Sequence, residues 1–450
     1  MQQHAKQQRF AILTLGCKVN QEEGNALANV FLEHGWQQVN FSEMADVYLI
    51  NTCTVTHLAD RKSRQMVRRA IRMNPAACVA VTGCYAQMGK EELLAINGVN
   101  LIVGTNDRHR LYDLVQTHLA NPSLGTQVVV SDVVQAKDFL EIGNHYHQTK
   151  RTRAFLKIED GCSQFCSYCI IPYARGPVRS KPLLEVVAEA EEIIAAGYQE
   201  IVLTGIHTGA YGRDFVGQQI CLEDLVAALV ELPGLARLRL GSIEPQEVTP
   251  GLIGWMAKES RICPHFHIPL QAAQDEILQA MNRHYQVAEY QALLAEIRRQ
   301  VPNVAITTDV IVGFPGETAA DFAAGLANIK ACQFADLHIF PYSPRKGTPA
   351  ATFPQQVPAA EKEKRAHQLQ QVAALSRQYY WQQQLGQQQP VLLEQQEKLN
   401  DILVWTGHSP NYLPVAVPAD AFTISMAGQI VWVEIKKITD QVLWGEPILK

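Results

Sequence analysis

The sequence predicts an α/β protein in three parts. These are an N-terminal parallel-sheet domain over residues 1–120, a partial (β/α)6 barrel with a trailing helix over 151–385, and a small β-barrel over 386–450. Residues 121–150, polar and carrying Pro122 and Gly143, form a linker with some strand content. Two series of short apolar runs, most followed by a helical pattern, support the first two parts, because parallel strands need helical crossovers. Strand-like runs alone after the glutamine-rich QQQLGQQQ support the third. At 450 residues the chain exceeds one ordinary core, in keeping with several domains.

In the first series FAILTLG leads to Cys17, VYLINT to Cys53 and CVAVTG to Cys84. Ligands bind beyond the carboxyl ends of parallel strands, so three strands each delivering a cysteine there could gather three thiolates. Cys78 begins its strand and belongs at the opposite end, as a small core residue. In the second series FLKIEDGC, EIVLTGIHTG, RLRLGSIEP, FHIPLQ, VAITTDVIVGFPGE and DLHIFPYSP are strand-like. Six such units fit a partial barrel with functional groups on the loops after its strands. Glu361 to about Leu385 is helical in pattern, and VLLEQ, ILVWTG, LPVAV and IVWVEIKKI supply strands for the last part.

Apolar residues make up 47% and charged residues 18%, a balance suited to a globular protein and unlike long disorder. The N-terminal segment lacks the pattern of a secretory signal, and charges or turn residues interrupt every candidate membrane span. A cytoplasmic location with no membrane partner is expected. In a reducing compartment the ten cysteines point to metal or redox chemistry more than to disulfides. A net charge of −5 gives no global attraction for nucleic acid, so any RNA contact needs a local basic surface.

DGCSQFCSYCIIPYARG spaces Cys162, Cys166 and Cys169 as C-x3-C-x2-C directly after a strand. A structural zinc site needs a fourth ligand, and no cysteine or histidine stands close enough in sequence to be an obvious one. A four-iron cluster held by three thiolates leaves one iron open. An open iron is what S-adenosylmethionine (SAM) needs, because its amino and carboxylate groups can chelate there. The spacing, with Tyr168 before the last cysteine, is that of the radical SAM superfamily; zinc and a catalytic thiol are the alternatives. Thr204–Gly205 is a candidate approach for the methionine end of SAM, and Glu244 a candidate acceptor for ribose hydroxyls. Asp309, within an apolar strand, is a candidate for a polar role, either a SAM contact or a structural hydrogen bond. His265 and His267 share a strand face and, with no acid or thiol partner visible, read as satisfied core histidines. Cys17, Cys53 and Cys84 form a second candidate trio, the alternative being three unrelated buried cysteines.

On these motifs the chain resembles the methylthiotransferases of the radical SAM superfamily over nearly its full length. GCKVNQ, NTCTVTHLADRKSR, LKIEDGCSQFCSYCIIPYARGPVRS and DVIVGFPGETAADF are similar to the branch acting on tRNA N6-threonylcarbamoyladenosine. The isopentenyladenosine branch tends to read GCQMN at the first motif, and the ribosomal-protein branch GCPKN. The resemblance implies conversion of the modified adenosine beside the anticodon to its 2-methylthio form. It implies an N-terminal cluster domain, a radical SAM barrel and a C-terminal TRAM-like barrel. It also implies two [4Fe–4S] clusters, one on Cys17, Cys53 and Cys84 and one on Cys162, Cys166 and Cys169. SAM would be the cofactor and tRNA the substrate, with a sulfur source and a one-electron donor such as a flavodoxin or ferredoxin as partners. One SAM would methylate sulfur carried by the first cluster, and a second would yield the radical that activates the adenine C2–H bond. Competing readings are methylthiolation of isopentenyladenosine or of a ribosomal protein, and a non-catalytic RNA-binding iron–sulfur protein.

Two features depart from the family's pattern. Its Q-S-G-S-like run is here Gln271, Ala272, Ala273, Gln274, which removes a hydroxyl and a glycine's access to positive φ. From Gly386 onward seven acidic residues face four lysines. Any grip on tRNA there would rest on shape, local lysines and aromatics such as Tyr412 and Trp432. Elsewhere, the basic run RKSRQMVRRAIR sets Arg61, Arg64, Arg68 and Arg72 at helical spacing on one face, a candidate for phosphate contact or simply a solvated face. Arg175 and Arg179, near the C-x3-C-x2-C array, are further candidates for contact with an anion or substrate.

Overall fold

The computed structural model describes residues 7–143, 152–439 and 441–448. Residues 144–150 of the expected linker, and the expected barrel start at 151, lie outside the described residues. The chain divides into two compact units that interleave in sequence. One gathers Met1–Thr149, Glu159–Lys181 and Ser343–Ala351; the other gathers Lys150–Ile158, Pro182–Tyr342 and Thr352–Lys450. Contacts therefore cut across the linear boundaries expected from sequence, and the loop carrying Cys162, Cys166 and Cys169 counts with the N-terminal sheet.

The first unit is built on strands β1 (Arg9–Thr14), β2 (Gln37–Gln38), β3 (Val47–Thr52), β4 (Cys78–Gly83), β5 (Leu101–Val103) and β6 (Gln127–Val129). They form one sheet in the order β2-β1-β3-β4-β5-β6, parallel throughout. β3 and β4 are buried along their whole length, as near-continuous apolar runs require when both faces are covered. Successive residues feed two cores: Tyr48 and Ile50 one side, Val47 and Leu49 the other. β6 lies in the expected linker and is the edge strand of this sheet. Neither it nor β5 is long enough to register as a pattern.

Next come β7 (Ala154–Lys157), which belongs to the second unit, and the antiparallel pair β8 (Glu159–Asp160) and β9 (Arg179–Ser180), which belongs to the first. The second unit continues with β10 (Glu200–Thr204), β11 (Arg237–Arg239), β12 (His265–His267), β13 (Ala305–Val312) and β14 (Asp336–Pro341). Parallel sheets β11-β10-β7 and β12-β13-β14 are linked by bridges from Leu238 to Ile262 and from Ser242 to His267, giving the six-strand partial barrel expected. The helix Ala359–Gln382 leads to β15 (Gln388–Leu399), β16 (Ile402–His408), β17 (Pro414–Pro418), β18 (Ile430–Ile438) and β19 (Leu443–Pro447), which close into a barrel. Its last strand, LWGEP, escapes sequence patterns because Gly and Pro are poor strand signals.

A buried ion network fixes the small barrel to the amino ends of β10 and β11. Glu200, with no exposure, accepts from Arg239 Nε at 2.6 Å and faces Arg237 at 3.4 Å. The two guanidiniums also donate to the carbonyls of Pro390, His408, Ser409 and Pro410. The charges are thus paired and hydrogen-bonded, as burial demands. Tyr412, expected as an RNA-contacting aromatic, is part-buried and stacks on His265 and His408 at 5.0 and 4.9 Å, with the Arg239 guanidinium over its ring at 4.7 Å. Trp432 stays about half exposed. No described helix is long and apolar enough to cross a membrane.

Candidate functional site

In the first unit, α1 (Lys18–Glu33) follows β1 and packs into one core, while α2 (His57–Met73) follows β3 and packs into the other. Helices leaving neighbouring strands toward opposite faces open a crevice at the strands' carboxyl ends. The register lines those ends up, since Thr14 pairs with Asn51 and Asn51 with Thr82. Cys17, Cys53 and Cys84 follow just beyond and emerge at one edge, as expected. Cys17 caps α1 and is exposed, whereas Cys53 and Cys84 are buried, with Cys84 opening α3 (Cys84–Met88). Gly16 holds φ at +102°, and a Cβ there would stand 2.7 Å from Cys53 Cβ and 2.9 Å from its Sγ. Glycine is what allows this approach.

Burial pushes the Cys53 thiol up to about 12, and nearby Cys84 and Cys17 add to the rise. Burial likewise raises Cys84, against the pull of Arg175. Thiols that oppose one another's ionisation are suited to a cation in their midst, because coordination takes them as thiolates. The second trio follows the same logic. Gly161, at φ +91°, has no room for a Cβ against the Pro177 carbonyl. The Cys162 amide donates to Gly176 O at 3.0 Å, and the Cys169 amide to Cys166 O at 2.9 Å. Burial raises the Cys162 thiol, and Cys169 and Cys166 raise it further. Each trio offers three thiols within electrostatic reach of one another. That donor set fits a four-iron cluster with one iron left open.

Arg175 ties the two trios together. Its guanidinium, with no side-chain exposure, donates to Asn20 Oδ1 at 2.6 Å, to both Glu23 oxygens at 2.9 Å and to Asp160 Oδ1 at 2.7 Å. Asn20 and Glu23 lie on α1 behind Cys17, and Asp160 lies two residues before Cys162. Arg108 also pairs with Glu23. Asn20 in turn donates to Leu15 O at 2.8 Å and Thr52 O at 2.9 Å, fixing the chain before Cys17 to that before Cys53. On the other side Arg345 donates to Asp60 and, at 2.8 Å, to Thr54 beside Cys53. Asn20, Glu23, Arg108, Asp160 and Arg345 escaped the sequence reading. Their partners lie up to 291 positions away, and no local pattern encodes that.

The expectation that Arg175 and Arg179 meet RNA is corrected here. Arg175 is spent on Glu23 and Asp160, and Arg179, also buried, donates to Arg175 O at 2.7 Å and stands 3.6 Å from Asp160. The α2 face fares differently. Arg61, Arg68 and Arg72 are exposed, with Lys62 and Arg69 beside them, and no ion pair engages these five among the described residues. Arg64 is half-buried and turns back to Tyr85 at 2.5 Å and Glu92 at 2.7 Å.

In the second unit, Thr204 ends β10 buried, its hydroxyl donating to Val202 O at 3.1 Å, and Gly205 follows half-buried. Glu244 is gripped by both terminal nitrogens of Arg283, a partner absent from the sequence reading. Asp309 receives His267 Nε2 at 3.3 Å and His338 Nδ1 at 3.1 Å. Burial works to raise its pKa, but the two imidazoles prevail and hold the carboxyl far below the usual range. His267 therefore has the acid partner that the sequence reading missed, because that partner comes from the neighbouring strand. In the Gln271–Gln274 run the left-handed residue is Gln271, at φ 63°, while Ala272 and Ala273 need no positive φ. Loss of glycine there costs no backbone strain.

A partial parallel barrel and two three-thiol sites define a radical SAM enzyme carrying an additional cysteine-bearing sheet. The family comparisons agree. Residues 9–104 match "Uncharacterized protein family UPF0004", and residues 156–326 match the radical SAM superfamily. The threonylcarbamoyladenosine tRNA methylthiotransferase MtaB of Bacillus subtilis is 40% identical over 431 residues, covering 95% of this chain and 93% of that one. Its Aquifex aeolicus counterpart is 36% identical, over 87% and 94% of the two chains. The tRNA-2-methylthio-N(6)-dimethylallyladenosine synthase of Sphingopyxis alaskensis is 33% identical, over 98% of each. Among solved structures, the radical SAM methyltransferase TsrM of Kitasatospora setae shares the fold at TM-score 0.54 and 14% identity, over 77% and 75% of the chains. The chain belongs to the radical SAM tRNA methylthiotransferases, and its cofactors are [4Fe–4S] clusters and SAM.

Proposed function

We propose that the protein converts N6-threonylcarbamoyladenosine in tRNA to its 2-methylthio derivative. The observation that carries this reading is the joining of two three-thiol sites through Arg175 within one compact unit. Two such sites are what insertion of a methylated sulfur at an unactivated C–H bond calls for. Curated relatives named for this substrate match at 34–40% identity, which favours it over the dimethylallyl substrate named in the 33–34% relatives.

Cys162, Cys166 and Cys169 would hold the cluster that serves SAM, and Cys17, Cys53 and Cys84 the cluster that presents sulfur. When bound, these groups supply one-electron cleavage of SAM and the sulfur for transfer. The chain's own residues bind and orient. Buried Cys53, Cys84 and Cys166 keep water from the thiolates, and Arg175 holds the α1 carboxylate Glu23 in place so that its charge is neutralised beside them. Thr204, Gly205 and Glu244 are the proposed SAM contacts. Arg61, Arg68 and Arg72 are the proposed phosphate contacts, and the C-terminal barrel, read as TRAM-like, adds tRNA surface. A flavodoxin- or ferredoxin-like donor would supply the electron, and a sulfur source would replenish the first cluster. Nucleoside mass spectrometry of tRNA from a deletion strain tests the substrate. Loss of 2-methylthio-threonylcarbamoyladenosine, restored by the intact gene and not by a Cys17→Ala copy, is expected. Unchanged threonylcarbamoyl derivatives alongside lost dimethylallyl ones would reject it.

A further inference from the structure

Adjacent strands β12, β13 and β14 carry His267, Asp309 and His338 on one face. Asp309 pairs directly with His338 in the strand register, and His267 pairs with Thr307, two residues before Asp309 and so on the same face. Their ligand atoms all lie within 4.8 Å of one another. Nε2 of His267 stands 3.3 Å, and Nδ1 of His338 3.1 Å, from the same Asp309 oxygen. Two ligand atoms each about 2.1 Å from one ion, at tetrahedral or octahedral angles, stand roughly 3.0–3.4 Å apart. The two separations from Asp309 match those of ligands around a shared ion.

The hydrogen bonding around the trio has a tautomer in which an ion is held, beside one in which His267 donates directly to Asp309. Thr307 Oγ1 faces His267 Nδ1 at 2.9 Å and His265 Nε2 at 3.1 Å. A hydroxyl has one proton to give. Where His265 or a backbone carbonyl takes it, His267 must donate through Nδ1, and a neutral ring then turns a bare Nε2 lone pair toward a carboxylate. In that tautomer two acceptors face each other, and a cation between them satisfies both. A ring nitrogen anchored away from the metal is also the usual way a ligating histidine is oriented. The side chains of Asp309 and His338 are 27% and 58% exposed, which leaves one side of the trio open to water or another oxygen ligand.

We propose that His267, Asp309 and His338 form a binding site for a divalent first-row transition ion. Imidazole and carboxylate suit Mn2+, Fe2+ or Zn2+, and the absence of sulfur separates this site from both cysteine trios. The ion would keep exchangeable positions for oxygen ligands. The inference does not depend on which tRNA base is modified.

Anaerobic holoprotein, its cysteines occupied by clusters, is titrated with Mn2+ while the electron paramagnetic resonance of the free ion is followed, and Zn2+ is then added as competitor. One Mn2+ per chain, displaced by Zn2+, is expected, with affinity falling by at least the roughly tenfold that loss of a mere ligand-orienting partner costs, in both Asp309→Asn and His338→Gln. Iron content should not change. His338 is 58% exposed, and circular dichroism and thermal unfolding of both variants matching the native protein exclude a folding defect as the cause. Binding that is equal in both variants, or holoprotein that takes up neither Mn2+ nor Zn2+ at about 1 mM, a concentration weak even for oxygen-ligand sites, overturns the proposal.

Discussion

Replacing Arg175 with methionine keeps the volume and removes the cation that joins α1 to the loop of Cys162, Cys166 and Cys169. The guanidinium makes four hydrogen bonds of 2.6–2.9 Å to Asn20, Glu23 and Asp160 from a fully buried position. Removing one partner of a buried ion pair costs about 3–5 kcal/mol. Arg108 still faces Glu23, and Arg179 stands 3.6 Å from Asp160, so neither acid is left without a cation. The lower end, about 3 kcal/mol, is therefore expected, equivalent to a roughly 100-fold rise in the local opening constant. Hydrogen exchange read by mass spectrometry measures it. Amides of Lys18–Glu33 and of residues 159–181 should exchange faster by that factor, while Gln388–Leu399 in the C-terminal barrel should not change. Arg175→Lys should fall between, keeping charge but losing the fork. Unchanged exchange in both segments of Arg175→Met, or equal acceleration in that barrel, would refute this role.

Other outcomes follow from the same structure. Burial works to raise the Glu200 pKa, but Arg239 first, with Arg153 and Arg237, holds it at about 2, well below the ordinary glutamate value. A depressed folded pKa gives stability that is present above the unfolded value and lost as pH falls through the folded one. Glu200 thus contributes about 3 kcal/mol above pH ~4.5, fading toward pH ~2, and Glu200→Gln should flatten the denaturation midpoint across that window. Replacing Arg68, Arg69 and Arg72 together by alanine should weaken tRNA binding evenly across tRNA species. The salt dependence should drop by about two to three phosphate contacts, as filter binding at varied salt would record. In cluster-free protein at pH 8, iodoacetamide should label exposed Cys17 ahead of buried Cys53 and Cys84, and cluster loading should protect all three, as peptide mapping would show.

The α/β class and the strands that deliver cysteines were legible because parallel strands buried on both faces leave unmistakable apolar runs, such as VYLINT and CVAVTG. The trios were legible because each cysteine closes such a run or sits in a fixed spacing. What stayed hidden depends on long-range pairing. Arg175 and Arg179 read as surface cations because nothing in ARGPVR reveals Glu23 across 152 positions. Tyr412 read as an RNA aromatic because its two histidine partners come from separate strands. His267 read as a core residue because Asp309 reaches it only through the pairing of β12 with β13. Short strands such as Leu101–Val103 and Gln127–Val129 offer too few residues for any period to emerge.

Iron and acid-labile sulfide per chain, measured on anaerobically purified protein and its single-cysteine variants, test the central claim that two separate thiol trios each hold a cluster. About eight of each are expected in the native chain, and about four in either Cys17→Ala or Cys162→Ala. A native chain holding zinc, or two variants that keep the full native iron content, would contradict it.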